Sequence, residues 1–128
     1  MIATAMPPIT IAIDLKKSRI RIHKSLLHMT GDPKYIQLLV NPNNKYVAIR
    51  ALKQNEPHEN SERIRPIDMM AENSIEFYSK YFIQKLCELV DELDTDYSYR
   101  LMGTIVPTHN MAVFSLDTLT PIEKEGEN

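Results

Sequence analysis

The sequence predicts an α+β fold of two β-α-β-β modules that together form one sheet or barrel, with one long amphipathic helix. Three observations lead to this class. Several short segments alternate apolar and polar residues, which is typical of half-buried strands. Residues 79–93 carry apolar side chains at helical spacing. The order strand, helix, hairpin occurs twice along the 128 residues, which we expect to fold as a single domain.

The first module begins with two strands and a short helix. Residues 9–15 alternate apolar and polar side chains, and Arg19 to His23 resume the alternation with cations on the outer side. Ser25 is expected to cap a helix over 26–30, which Gly31 ends because glycine accepts the left-handed conformation of a helix terminus.

A β-hairpin completes the first module, which spans residues 1–53. Its two apolar runs, 35–40 and 46–52, flank Asn41-Pro42-Asn43-Asn44-Lys45, and these residue types tolerate turn geometry. The next segment, 54–73, is mostly polar and predicts a linker. Within this linker we expect the following residues to touch the core again: Ile64, Ile67, Met69 and Met70.

The second module, residues 74–122, repeats this order. Ile75 to Tyr78 predicts a short strand, and Ser79 to about Leu93 predicts the long helix. In the alternative interpretation the helix begins near Ser74, because the residues of that strand also fit its apolar face.

The end of the second module predicts another hairpin. Apolar runs at 99–106 and 111–119 surround residues 107–110, and the polar residues 123–128 are expected to form a frayed tail. A shift of 65 residues lays 46–49 over 111–114. This overlay fits an internal duplication with pseudo-twofold symmetry, and it fits two unrelated modules of similar spacing equally well.

The charge of the chain is divided between its two parts. Residues 1–55 carry nine Lys and Arg against two Asp, a net charge of +7, whereas residues 56–128 carry six against fifteen acids, a net charge of −9. The net charge of −2 for the whole chain conceals this asymmetry. A basic surface attracts polyanions whatever the overall charge is, so the first module is where we expect an acidic partner such as DNA to bind.

Composition argues against several classes of protein. The longest apolar run falls short of the ~20 residues that span a bilayer, and residues 1–6 lack the features of a secretion signal. A single cysteine, Cys87, forms no disulfide within the chain, so we expect a cytoplasmic protein. The three glycines form no phosphate-binding loop, and no nucleophile has a recognisable base beside it. We therefore expect a protein that is not an enzyme and needs no cofactor.

Acidic and histidine residues do not form a convincing metal site. Asp94 and Asp96 begin like a calcium loop, but the glycine and the closing glutamate of such a loop are missing. The four histidines show no ligand spacing. The sequence therefore predicts no metal, and it predicts that the acids from Glu88 to Asp96 form a solvated helix end.

The strongest functional candidate is the basic stripe from Lys16 to Lys24. Its candidate nucleic-acid-binding residues are Lys16, Lys17, Arg19, Arg21 and Lys24. On a strand, Arg19 and Arg21 would share one face and could contact successive phosphates. The alternative is a solvated strand face whose charges protect an exposed sheet edge. Because the stripe has no interleaved aromatic residue, it does not favour the stacking of single-stranded bases.

Residues 19–52 resemble a known family. The run Arg19-Ile20-Arg21-Ile22-His23-Lys24, the step Gly31-Asp32 and the hairpin that follows are similar to the AbrB/MraZ swapped-hairpin family. This resemblance implies modules that pair into a DNA-binding β-barrel, in which Arg19, Arg21 and Lys24 contact phosphates or the groove. The chain departs from the family pattern at His23, where the family prefers proline, and in its short approach to Gly31.

Two functions follow from these observations. The first is a small regulator of transcription that binds nucleic acid through the basic stripe as a homo-oligomer, most simply a dimer. The alternative is an adaptor that binds protein partners through the acidic helix 79–94 and has no affinity for nucleic acid. A role in binding or converting a small molecule would need a pocket with converging polar groups.

Overall fold

The fold was analysed in a computed structural model that describes residues 9–53, 56, 61–70, 73–91 and 93–122. The predicted tail 123–128 and most of the polar run 54–60 lie outside the described residues. The described part contains two α-helices, α1 (Lys24–Met29) and α2 (Lys80–Leu89), and the following strands: β1 (Ile9–Asp14), β2 (Arg19–His23), β3 (Tyr35–Asn41), β4 (Tyr46–Ala51), β5 (Glu62–Arg63), β6 (Ser74–Tyr78), β7 (Ser98–Val106), β8 (Met111–Ser115) and β9 (Thr120–Ile122).

The predicted fold class is wrong. The described residues are mostly sheet, with 46% in strands, and they form one nearly closed antiparallel barrel-like sheet with only two short helices. The strands follow the order β5-β3-β4-β8-β7-β1-β2-β6, and β9 pairs beside β7. Three of these pairings, β1 with β7, β2 with β6 and β4 with β8, join the predicted first module, 1–53, to the predicted second module, 74–122. The chain is therefore not two β-α-β-β modules with one long helix.

Alternation along the strands explains how this sheet buries its core. Ile20 and Ile22 of β2 are fully buried, and Leu101 of β7 and Phe114 of β8 lie in the same core. Their neighbours in sequence point to the opposite, outer face of the sheet, because successive residues of a strand alternate between faces. Burial on one face thus fixes the register, since a slip by one residue would expose the whole apolar set.

Helix α1 differs from the predicted helix 26–30 mainly at its start. It begins at Lys24, so Ser25 lies inside the helix and does not cap it. The Lys24 backbone N–H donates instead to the Asn73 carbonyl at 2.9 Å, which satisfies one of the free donors of the first turn. At the other end Gly31 has φ of 95°, and the Asp32 N–H donates to the Leu27 carbonyl. This is a Schellman ending, as Gly31 predicts.

Helix α2 is shorter than the predicted helix 79–93. Ser79 caps it by accepting a hydrogen bond from the Phe82 N–H, but the backbone is already extended at Val90. Val90 and Leu93 pack against the core although they lie beyond the end of the helix. Their apolar spacing therefore does not indicate helix, and the predicted end at Leu93 is wrong. An end at Leu89 also keeps Asp91 and Asp94 out of the last helical turn, where negative charge opposes the helix dipole.

Candidate nucleic-acid interface

The two arginines of β2 share its outer face, as the alternation predicts. Arg21 is exposed over 50% of its side chain and Arg19 over 22%, whereas Ile20 and Ile22 between and beside them are buried. The β2 strand lies between β1 and β6, so the outer faces of three adjacent strands surround these guanidinium groups. Both side chains therefore lie on the outer face of the sheet, with Arg21 more exposed than Arg19.

Two carboxylates pair with these arginines. Arg19 Nη2 lies 3.1 Å from Asp14 Oδ2, at the cross-strand position on β1. Arg21 donates from Nε at 3.0 Å and from Nη2 at 2.6 Å to Glu76 Oε2 on β6, and Arg19 Nη1 lies 3.4 Å from the same oxygen. The basic stripe is therefore partly neutralised, by Asp14 from the basic part of the chain and by Glu76 from the acidic part.

The lysines at the start of the stripe lie in the turn between β1 and β2. Lys16 and Lys17 are exposed, and neither side chain has an ion pair among the described residues. The turn is held in place because the Lys17 N–H donates to Asp14 Oδ1 and the Ser79 N–H donates to the Ser18 carbonyl at 3.0 Å. Ser18 adopts φ of 52°, which tightens the turn. The two ammonium groups are thus presented on a fixed loop.

Lys24 lies at the opposite end of β2 from these lysines. It is half-buried as the first residue of α1. A strand of five residues spans about 17 Å at ~3.3 Å per residue, so Lys24 and the turn bracket the length of β2. The five candidate residues therefore lie along one strand and its two ends.

Arg100 of β7 belongs to the same outer face, and sequence reasoning missed it. Ala12 of β1 is the cross-strand partner of both Arg21 and Arg100, so it lies between the two arginines. The small side chain of Ala12 leaves space between them. Arg100 is exposed and has no ion pair in the described part of the chain. Alternation could have placed Arg100 outward, but no sequence signal indicates that β7 pairs with β1.

Residues 94–97 form an acidic turn before β7, and this turn borders the outer face that carries the arginines. The Asp94 N–H donates to the Tyr99 hydroxyl at 2.9 Å, and Asp94 Oδ1 accepts from the Asp96 N–H. Ser98, the first residue of β7, pairs with Asp14, so these acids lie near the end of β1. Asp94 therefore has a structural role in the turn. Across the described residues, no group of three His, Cys, Asp or Glu side chains is arranged to hold a metal ion.

Two other reactive groups lie outside this surface. Cys87 of α2 is half-buried, and burial raises the pKa of its thiol, which keeps it protonated and weakly nucleophilic. His28 Nδ1 lies 2.6 Å from Asp32 Oδ1, next to the end of α1. Neither group is placed to act together with the arginines of β2.

A groove lies on another side of the barrel, where β3 forms part of the sheet edge. Within the described part of the chain, β5 pairs only with Tyr35 and Ile36, so β3 has no second partner strand from Gln37 onward. The space between this edge and α2 has a volume of about 700 Å³. Its lining is largely apolar and includes Leu38, Leu39, Val40, Tyr81 and Leu89.

Comparisons with known proteins found no match to a family model, to a curated protein or to a solved structure. The resemblance of residues 19–52 to the AbrB/MraZ family therefore stays a prediction. Among the described residues no helix has the length and apolar character needed to cross a membrane.

Proposed function

We propose that this protein binds nucleic acid through the β2 surface, which consists of Lys16, Lys17, Arg19, Arg21, Lys24 and Arg100. The observation that carries the proposal is the outward placement of Arg19 and Arg21 on β2 and of Arg100 on β7, next to the exposed lysines of the turn between β1 and β2. Asp14 and Glu76 pair with the two arginines of β2. Phosphate contacts account for most of the non-specific affinity of a protein for nucleic acid. A surface of this kind needs no pocket and no cofactor.

The ion pairs of the arginines do not prevent such binding. Glu76 Oε2 is shared between Arg19 and Arg21, so one carboxylate oxygen serves two guanidinium groups. Exposed ion pairs contribute about 0–1 kcal/mol each, because solvent screens them. A phosphate accepts bidentate hydrogen bonds from arginine at least as well as a carboxylate does. The acid therefore holds the arginines in place and can be replaced at small cost.

The test is a salt titration of binding. We expect a labelled oligonucleotide of random sequence to bind at about 50 mM salt and to lose most of its affinity by about 200 mM, because binding releases counterions. Fluorescence anisotropy would measure the dissociation constant at each salt concentration. Replacing Lys16 and Lys17 by glutamine should reduce the slope of log affinity against log salt by about 2, one unit for each lost phosphate contact.

The matched control is Lys45→Gln, which removes an exposed lysine from the turn between β3 and β4. It should leave the slope unchanged, because Lys45 lies outside the β2 surface. A wild-type protein that binds neither duplex nor single strand at low salt would exclude the proposal and favour the adaptor function.

We further propose that the protein forms a dimer through β3. An antiparallel pairing of two β3 strands about a twofold axis at Leu39 would set Gln37 against Asn41 and Leu38 against Val40 of the second copy. Amide would meet amide and apolar would meet apolar along β3, and Lys85 and Glu88 of α2 would flank the added strand. An uncharged apolar edge that lacks a partner strand favours pairing with another chain.

Sedimentation velocity tests the dimer. We expect wild-type protein to sediment as a dimer and Leu39→Lys to sediment as a monomer, because the variant places two like charges opposite each other at the twofold axis. Met102→Lys is the control, since Met102 is an exposed apolar residue of β7 and that strand pairs with β1. A wild-type monomer at high concentration, or a Leu39→Lys dimer, would contradict the β3 interface.

A further inference from the structure

Aromatic side chains lie beside the β2 surface, although the basic stripe itself contains none. Tyr78, on the edge strand β6, is the cross-strand partner of Arg19. Its side chain is 63% exposed, which is unusual for a residue with so much apolar area. Cross-strand partners have Cβ atoms about 5 Å apart, so Tyr78 and Arg19 are neighbours on the outer face.

A second exposed tyrosine follows at the start of α2. Tyr81 is 71% exposed, and the Lys85 ammonium lies 5.4 Å from the centre of its ring. Lys80 is exposed between the two tyrosines. The hydrogen bond from Ser79 to Ser18 joins this helix start to the turn that carries Lys16 and Lys17. Tyr78 and the basic turn are therefore brought to one end of β2, whereas the Tyr81 side chain also lines the groove between α2 and β3.

Exposed aromatic rings beside cations have a specific use in nucleic-acid binding. In a single strand each base has a free flat face, which stacks on a tyrosine ring while the phosphates contact lysine and arginine. In a duplex the faces of the bases are covered by their neighbours, and a tyrosine on a sheet surface does not reach them. A surface that used phosphate contacts alone would gain nothing from exposing Tyr78 and Tyr81.

We infer that the nucleic acid bound by the β2 surface is single-stranded, with one base stacked on Tyr78 and its flanking phosphates at Arg19, Arg21 and the Lys16–Lys17 turn. This inference rests on the proposed function and narrows its ligand. It also revises the expectation from the sequence that stacking is disfavoured, since the aromatic residue comes from β6 and is brought beside Arg19 by the sheet.

The experiment compares a single strand with its duplex. Fluorescence anisotropy at about 50 mM salt would measure the affinity of a thymidine oligonucleotide of ~15 nucleotides and of the same strand paired with its complement. We expect tighter binding of the single strand. Tyr78→Leu, which keeps apolar bulk without an aromatic face, should weaken single-strand binding roughly tenfold and leave duplex binding unchanged. Tyr78→Phe keeps the ring and should bind like the wild type.

The control removes an exposed tyrosine that lies among acidic residues at the border of the β2 surface. Tyr97→Leu changes a residue of the acidic turn before β7 that is 49% exposed, and single-strand affinity should not change. If Tyr78→Leu lowers the urea midpoint, Tyr78→Val provides the second measurement, because a β-branched residue suits a strand and also lacks an aromatic face, and the same loss of single-strand affinity is expected.

The outcomes separate the two levels of the proposal. Equal affinity for both forms, together with wild-type binding by Tyr78→Leu and Tyr78→Val, would overturn the single-strand inference and leave nucleic-acid binding intact. Failure of the wild type to bind either form would overturn the proposed function itself. Loss of single-strand binding by Tyr97→Leu as well would show that the effect is not specific to this surface, and would also overturn the inference.

Discussion

Replacing Gly103 by valine is expected to lower the free energy of unfolding by about 3 kcal/mol or more. Gly103 lies in β7 directly opposite Phe114 of β8, whose side chain is fully buried. A Cβ atom at position 103 would lie 2.1 Å from the Val113 carbonyl oxygen and 2.6 Å from Phe114 Cδ2. Both distances are far below van der Waals contact, and a carbonyl within a sheet ladder cannot move aside cheaply. Urea unfolding followed by circular dichroism would measure the loss.

Gly31→Ala is the informative control for this substitution. Gly31 has φ of 95°, which other residues rarely adopt, but no atom lies within 4 Å of the position its Cβ would take. Its cost comes from backbone strain alone and should be about 1 kcal/mol. Gly103→Ala should cost more than Gly31→Ala, even though alanine suits a strand better than glycine. A Gly103→Ala variant as stable as the wild type would show that β7 and β8 do not pack in this way.

Local patterns predicted the strands well because each depends on neighbouring residues only. Alternation placed β1 and β2 correctly, and the turn residues 41–45 and 107–110 correctly predicted two hairpins. The pairing of strands has no local signal. Arg21 meets Glu76 across 55 positions of sequence, and nothing in either segment encodes that meeting. The fold class was wrong because the two parts of the chain share one sheet and do not form separate modules.

The candidate site shows the same division between local and non-local information. The outward direction of Arg19 and Arg21 follows from period two, and the structure agrees. Their ion pairs, the neighbouring Tyr78 and the additional Arg100 all come from strands that pair with β2 or β1. The charge of the first 55 residues therefore overstated how positive the surface is, since β6 contributes Glu76 to it. It also gave no hint of the aromatic ring beside the stripe.

Charge reversal on β2 should abolish nucleic-acid binding. Arg19→Glu combined with Arg21→Glu would place two new carboxylates next to Asp14 and Glu76, so the centre of the β2 surface would become acidic. We expect anisotropy to detect no complex at about 50 mM salt. The exposed Arg21–Glu76 pair contributes only about 0–1 kcal/mol, whereas the Arg19–Asp14 pair is partly buried, so we expect the variant to be less stable than the wild type but still folded. Circular dichroism of the variant would verify this.

Glu76→Gln tests the same electrostatic model in the opposite direction. It keeps the shape of the side chain but removes the negative charge that Arg19 and Arg21 share, so Arg21 becomes available to phosphate and Arg19 keeps only Asp14 as its acidic partner. Affinity should therefore rise severalfold, and the salt dependence should become steeper by up to about one unit. A general effect of net charge would give the same gain when Asp117→Asn removes an exposed acid elsewhere. If Glu76→Gln binds more weakly than the wild type, the arginines do not contact phosphate, and Glu76 serves the partner directly.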